Sequence, residues 1–264
     1  MKRLAVLGQP VGHSRSPAMH NAAFTALEIA SAWRYEAIEV APDEFESLVL
    51  SMPAEGFVGA NVTVPHKTGA LAVADEISEV VREIGAANTL AFADDGVHAY
   101  NTDAEGFLAA LPERPEGARA LVLGAGGAAR AVVWALVRQG ALVEIWNRTP
   151  LRSRHLGDDV GGVAVENPKT GDYDLLVNTT SVGLRGEDPF AELPLDEEGF
   201  RDGQTVVDLV YGDTPSRILA AAEAGGAVTL DGIEILVRQG AVSFELWTGR
   251  EAPLDAMREG ARGA

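Results

Sequence analysis

The stretch that most restricts what this chain can fold into lies in its middle. Ala120-Leu121-Val122-Leu123 runs into Gly124-Ala125-Gly126-Gly127-Ala128-Ala129, a helical pattern covers Arg130 to Gln139, and a second apolar run follows from Leu142 to Trp146. Strand, glycine turn, helix and strand in one unit of roughly thirty residues open a parallel α/β sheet whose first turn faces a ligand. Glycine at 124 permits the tight turn, glycine at 126 lets main-chain N–H groups approach a pyrophosphate, and Ala129 permits close packing of helix on sheet. The helix N-terminus adds the positive end of its dipole. Gly-rich turns also arise for purely conformational reasons; the flanking strands and helix make this one a dinucleotide signal.

The residues after the second strand select the dinucleotide. An acidic side chain there would bind the ribose 2′-hydroxyl of NAD, but the chain reads Asn147-Arg148-Thr149. Arg148 offers a planar fork suited to a 2′-phosphate, with Arg152 and Arg154 nearby, so NADP(H) is the expected cofactor. The competing reading, ordinary surface arginines, fits poorly with a chain of 21 Lys+Arg against 39 Asp+Glu and a net charge of −18. That balance also argues against nucleic acid or an anionic membrane as partner.

There is no cysteine, which removes disulfides and thiolate chemistry. The five histidines, His13, His20, His66, His98 and His155, show no ligand spacing, so no metal is expected. The opening apolar run is too short for a signal peptide, and no stretch approaches the roughly 18 apolar residues of a membrane span, so a soluble cytoplasmic protein is expected. Only three lysines occur, at positions 2, 67 and 169, which makes each one conspicuous.

Apolar runs at Leu4 to Leu7, Arg34 to Val40 and Gly59 to Val64 alternate with helical patterns at Ala18 to Ile29 and Asp43 to Met52, predicting a parallel α/β sheet in the first part too. A surface connection from Leu108 to Gly117 precedes the central motif. The last long helix, Gly232 to Thr248, carries Ile233, Leu236, Val237, Phe244 and Trp247 near one stripe and is expected to return to the first part.

The first part holds a polar set. Ser14 and Ser16 stand two residues apart before a helix that Pro17 can open; Ser16 as N-cap explains one serine, and both hydroxyls beside helix N–H groups would suit a carboxylate. Asn61 and Thr63 alternate with valines on one strand, and Lys67 follows, so an amide, a hydroxyl and an ammonium can serve a polyhydroxylated ring and its nascent alkoxide. Asn88 and Asp103 end further strands; Asp103 either caps the next helix, pairs with Lys67, or does both. No Gly-x-Ser-x-Gly turn is present, which disfavours a serine hydrolase.

Taken in order, Gly8-Gln9-Pro10-Val11-Gly12-His13-Ser14-Arg15-Ser16-Pro17 with His20-Asn21, Asn61-Val62-Thr63-Val64-Pro65-His66-Lys67, Ala86-Ala87-Asn88-Thr89, Asn101-Thr102-Asp103, the glycine turn, Asn178-Thr179-Thr180-Ser181, Asp208-Leu209-Val210-Tyr211, and Asp231-Gly232 with Gln239 resemble the shikimate dehydrogenase family over nearly the whole chain. The resemblance implies an α/β protein of two lobes: a substrate-binding domain at 1–102 completed by 239–264, and a Rossmann NADP-binding domain at 103–238, with the active site in the cleft between. It implies NADPH-dependent, reversible reduction of 3-dehydroshikimate to shikimate in aromatic amino-acid biosynthesis. It implies further that Lys67 and Asp103 are the acid–base pair, and that Ser14 and Ser16, helped by Tyr211, hold the substrate carboxylate. Asn61, Thr63, Asn88 and Gln239 are expected to line the substrate, and Thr179, Leu209 and Gly232 to join the cofactor site. His66, where an aromatic residue is common, and Leu209, where a bulkier one is, depart from the family pattern. Three alternatives stay open: a quinate-oxidising sibling with relaxed cofactor choice, a catalytically silent NADP sensor, and a two-lobed folate dehydrogenase. A homodimer is left open as well.

Overall fold

The computed structural model describes residues 1–212 and 214–264 and divides the chain into two compact units, 1–106 with 236–264, and 107–235. In the first unit β1 (Lys2–Gly8), α1 (Ser16–Ala26), β2 (Trp33–Glu39), α2 (Phe45–Ser51), β3 (Phe57–Val62), β4 (Glu76–Ile77), α3 (Glu79–Ile84), β5 (Thr89–Ala93), β6 (Gly96–Tyr100) and the start of α4 (Asp103–Ala110) follow one another. Among the described residues the sheet has the order β2-β1-β3-β5-β6-β4. β1 is flanked by parallel partners on both sides, and its run Leu4 to Leu7 is buried, as a strand covered on both faces demands.

The sheet expected here to be parallel is a mixed one. β5 lies antiparallel to β3 and to β6. The pair Ala93↔Gly96 closes on the two residues Asp94 and Asp95, and Gly96 sits at φ 133°. Two residues form a hairpin and are far too few for the crossover that a parallel connection needs.

The second unit is built from β7 (Arg119–Leu123), α5 (Gly127–Arg138), β8 (Leu142–Trp146), α6 (Pro150–Val160), β9 (Val163–Ala164), β10 (Leu175–Asn178), α7 (Pro189–Glu192), β11 (Thr205–Asp208), α8 (Arg217–Ala224) and β12 (Val228–Asp231). Its strands are parallel in the order β12-β11-β10-β7-β8-β9, the doubly wound dinucleotide-binding order, with β7 at the point where the order reverses. Leu121, Leu123, Leu176, Val206 and Ile218 centre its core.

α9 (Gly232–Thr248) begins in this unit, and from Leu236 onward it and α10 (Leu254–Arg262) belong to the first. Small residues fix this packing. A Cβ on Gly59 would run into Nε1 of Trp247, whose N–H donates to the Leu90 carbonyl, and a Cβ on Gly106 would run into the main-chain nitrogen of Gln239. α10 crosses α1 where Gly260 faces Ala22 and Ala18. Among the described residues no helix is long and apolar enough to cross a membrane.

Candidate active site

Lys67 lies in the turn region after β3, where its carbonyl accepts the Ala87 N–H, and Asp103 is the first residue of α4. The Lys67 ammonium donates to Oδ2 of Asp103 at 2.5 Å, with 14% and 15% of the two side chains exposed. Asn88 donates from Nδ2 to the other carboxylate oxygen, Oδ1, at 2.8 Å. The carboxylate does not cap α4; the Asn101 carboxamide does, accepting from the N–H groups of Asp103 and Ala104. Asp103 is thereby left to pair with the lysine.

Asn88 is 2% exposed and its orientation is over-determined. Its Oδ1 accepts the Thr102 N–H at 2.7 Å and the Thr89 hydroxyl at 3.1 Å, so the amide nitrogen must face Asp103. That nitrogen also meets Thr102 Oγ1 and the Gln239 Oε1, and Gln239 is oriented in turn by donating to the Leu236 carbonyl. Lys67, Asp103, Asn88 and Gln239, expected at one site from distant parts of the sequence, are thus brought together.

Asn61 differs from the reading that pointed it toward a ligand. Its Oδ1 accepts the Tyr35 hydroxyl at 2.7 Å, and its Nδ2 faces the Asn88 carbonyl, Thr89 Oγ1 and Ser243 Oγ. Every polar atom of this 5% exposed side chain is used inside the unit, because α9 covers that face of β3. Thr63 lies one step beyond the end of β3, its methyl over Gly8, where a Cβ would collide with it; among the described residues its hydroxyl has no hydrogen-bond partner. Val64 is exposed rather than core-facing.

Ser16 is not the N-cap of α1. It is the first helical residue, Arg15 is the cap, and Pro17 follows at the next position. Ser14 Oγ accepts the Ser16 main-chain N–H at 3.3 Å, and among the described residues the Ser16 hydroxyl has no hydrogen-bond partner. His66 fills the place of an aromatic residue by stacking on Phe45 at 4.5 Å while its Nε2 meets the Val40 carbonyl.

The sequence reading assigned no role to Thr89, Thr102, Ser243, Tyr35 or His20. Ser243 carried one usable signal: it stands four residues after Gln239, on the same face of the helix, beside the apolar stripe that includes Phe244 and Trp247. His20 is fully buried and stacked on Tyr35 at 4.3 Å, and among the described residues neither ring nitrogen has a partner. Burial pushes its pKa down to about 3.

In the second unit Gly124 has φ 116°, and a Cβ there would meet Thr179 Oγ1 at 2.5 Å; the Thr179 hydroxyl donates to the Leu123 carbonyl. Gly126 caps α5 with no side-chain hydrogen bond, and a Cβ on it would meet nothing within 4 Å. The turn around Ala125, Gly127 and Ala128 is therefore open above Gly126. Asn147 donates to the Thr149 carbonyl. Arg148 and Arg152 are exposed, and among the described residues neither guanidinium has a partner, whereas Arg154 is committed to Glu166 at 3.1 Å. Asp208, at the end of β11, accepts from Asn178 Nδ2 and the Val210 N–H, and burial raises its pKa. Leu209 and Tyr211 follow, and a Cβ on Gly232 would clash with the Leu209 carbonyl, so this glycine has a packing reason of its own.

Residues 6–90 match the family model described as shikimate dehydrogenase substrate binding domain, and residues 232–261 match that described as shikimate 5′-dehydrogenase C-terminal domain. A shikimate dehydrogenase (NADP+) of Anaeromyxobacter sp. is 46% identical over 94% of this chain and 91% of that protein. Another from Moorella thermoacetica is 42% identical over 96% of the chain and 90% of its own length. The crystal structure of shikimate 5-dehydrogenase from Thermus thermophilus with NADP(H) and shikimate superimposes with a TM-score of 0.90, at 42% identity, over 100% of this chain and 99% of that one. With its sheet order, its glycine turn and this likeness along almost its full length, the chain belongs to the shikimate dehydrogenase family.

Proposed function

We propose that this protein catalyses the reversible, NADP-dependent interconversion of shikimate and 3-dehydroshikimate. The observation that carries the reading is the Lys67–Asp103 pair, held at 2.5 Å with Asn88 on the second carboxylate oxygen, in a chain of this family. The open turn above Gly126 and the unpartnered Arg148 and Arg152 fit a pyrophosphate and a 2′-phosphate. NADP(H), when bound, supplies or takes the hydride.

The chain's own residues handle the proton and the orientation. Two of the Lys67 ammonium protons are left for substrate once one is given to Asp103, so Nζ can place a positive charge and a donor at the developing alkoxide. In the oxidative direction the pair accepts the alcohol proton. Asn88 and Gln239 keep the carboxylate turned toward Lys67. The unpartnered hydroxyls of Thr63 and Ser16, with Ser14, are assigned to the substrate's hydroxyl and carboxylate groups, and Tyr211 to the carboxylate. Asn61 is assigned to holding this set in place from beneath.

The test is absorbance at the nicotinamide band with purified protein, shikimate or quinate, and NADP+ or NAD+. Turnover with shikimate and NADP+ well above the other three combinations is expected. Faster turnover of quinate would replace the substrate assignment, and NADP+ binding with no turnover would identify a sensor.

A further inference from the structure

Beneath Asn88 three buried hydroxyls stand within hydrogen-bond reach of one another: Thr89 to Ser243 at 2.9 Å, Thr102 to Ser243 at 3.0 Å, and Thr89 to Thr102 at 3.3 Å. Ser243, fully buried on α9, is the member that ties them to the rest of the fold. It donates to the Gln239 carbonyl at 3.2 Å and receives Asn61 Nδ2 at 3.1 Å. With one lone pair so occupied, its oxygen has one left, and a single threonine proton can enter it. The other threonine proton then finds Asn88 Oδ1, which lies 3.1 Å from Thr89 and 3.3 Å from Thr102; from Thr102 it also reaches Gln239 Oε1, at 3.4 Å.

From this we infer that Ser243 is a positioning residue for the Lys67–Asp103 pair, acting through Asn88. The inference rests on the acid–base assignment proposed above. By ordering the hydroxyl protons, Ser243 keeps donors on the Asn88 oxygen, and the Asn88 nitrogen is held on Asp103 Oδ1. The carboxylate's proton traffic is then confined to Oδ2, the oxygen shared with Lys67. Removing the Ser243 oxygen leaves a threonine proton and one Asn61 N–H to be re-partnered in a buried space, which loosens the hydroxyl contacts that join the Thr102 N–H in orienting the Asn88 amide. A residue that only fills space would change stability without reaching Asp103.

The experiment compares wild type, Ser243→Ala, Ser243→Cys, Asn88→Ala and the Ser243→Ala/Asn88→Ala double variant, by steady-state kinetics and by 15N NMR of the Asn88 side-chain amide. Ser243→Ala is expected to lower kcat by about tenfold or more with both KM values within about twofold, and to accelerate solvent exchange of the Asn88 amide protons by at least about tenfold. Ser243→Cys, nearly the same size and still carrying a donor, is expected between the two. In the Asn88→Ala background the serine change should cost nothing further. The inference is overturned if Asn88 exchange is unaltered in Ser243→Ala, or if the same fold-loss in kcat persists without Asn88. Should Ser243→Ala fail to fold, Ser243→Cys decides by the same readouts. An inactive wild type would remove the proposed function, and the amide exchange would still decide the role of Ser243.

Discussion

The ammonium of Lys67 and the carboxylate of Asp103, 36 residues apart in sequence, meet at 2.5 Å, largely buried in the first unit, and only one of the two carboxylate oxygens is shared between them. A lysine so placed can deliver a proton without first breaking a bond to any other group. Replacing Lys67 by Ala should lower kcat by two or more orders of magnitude and change the shikimate KM much less, because the interaction is strongest with the developing alkoxide. Near-normal turnover in that variant would end the assignment.

Two glycines of one turn should separate stability from cofactor binding. Gly124→Ala forces a Cβ to within 2.5 Å of Thr179 Oγ1 at φ 116°, and should lower stability by ~1–3 kcal/mol. Gly126→Ala, at φ −96° with nothing within 4 Å, should melt like wild type and bind NADP+ at least about tenfold more weakly. Thermal melts and fluorescence titration with NADP+ check both, and unimpaired binding by the Gly126 variant would place the pyrophosphate elsewhere.

Arg148, exposed and without a partner among the described residues, should act on NADP+ and not on NAD+. Arg148→Gln removes charge-assisted hydrogen bonds to a 2′-phosphate, worth ~1.5–3 kcal/mol, so the KM for NADP+ should rise about ten- to a hundredfold while that for NAD+ stays put. Equal changes for both cofactors would assign Arg148 a general role instead.

His20 makes acid stability measurable. Its folded pKa near 3 lies below the ordinary 6.5, so the unfolded chain takes up the proton first as pH falls. The contribution is fully present above pH ~6.5 and is lost progressively toward pH ~3, by up to ~5 kcal/mol. His20→Phe, which keeps the stack on Tyr35, should show a flatter loss of denaturant midpoint over that window. Parallel curves for the two proteins would mean that the imidazole finds a partner in solution.

Asp208 predicts the opposite sign. Its carboxyl pKa is raised by burial, so its contribution is present below the ordinary carboxylate range and lost as pH rises through the folded value. Asp208→Asn keeps an acceptor for Asn178 and Val210 and should be more stable than wild type at pH 8, with the advantage shrinking as the buffer is acidified. Melting temperatures across that range test it, and an advantage independent of pH would exclude ionisation as the cause.

The sequence alone determined what local chemistry controls. It placed the strand that ends at Leu123 and the strand Leu142–Trp146 around the glycine turn, the extent of α9, and the prominence of Lys67, because periodicity, turn residues and rarity act over a few positions. Only the tertiary structure decided what depends on partners far away in the chain. The carboxamide of Asn61 is consumed by Tyr35, Asn88, Thr89 and, 182 residues on, Ser243; Arg154 is tied to Glu166 while Arg148 and Arg152 are not; and β5 runs against its neighbours. A hydrogen bond is satisfied by whichever group the packed backbone brings within about 3 Å, and that proximity is a property of the assembled sheets and helices rather than of any short stretch of residues.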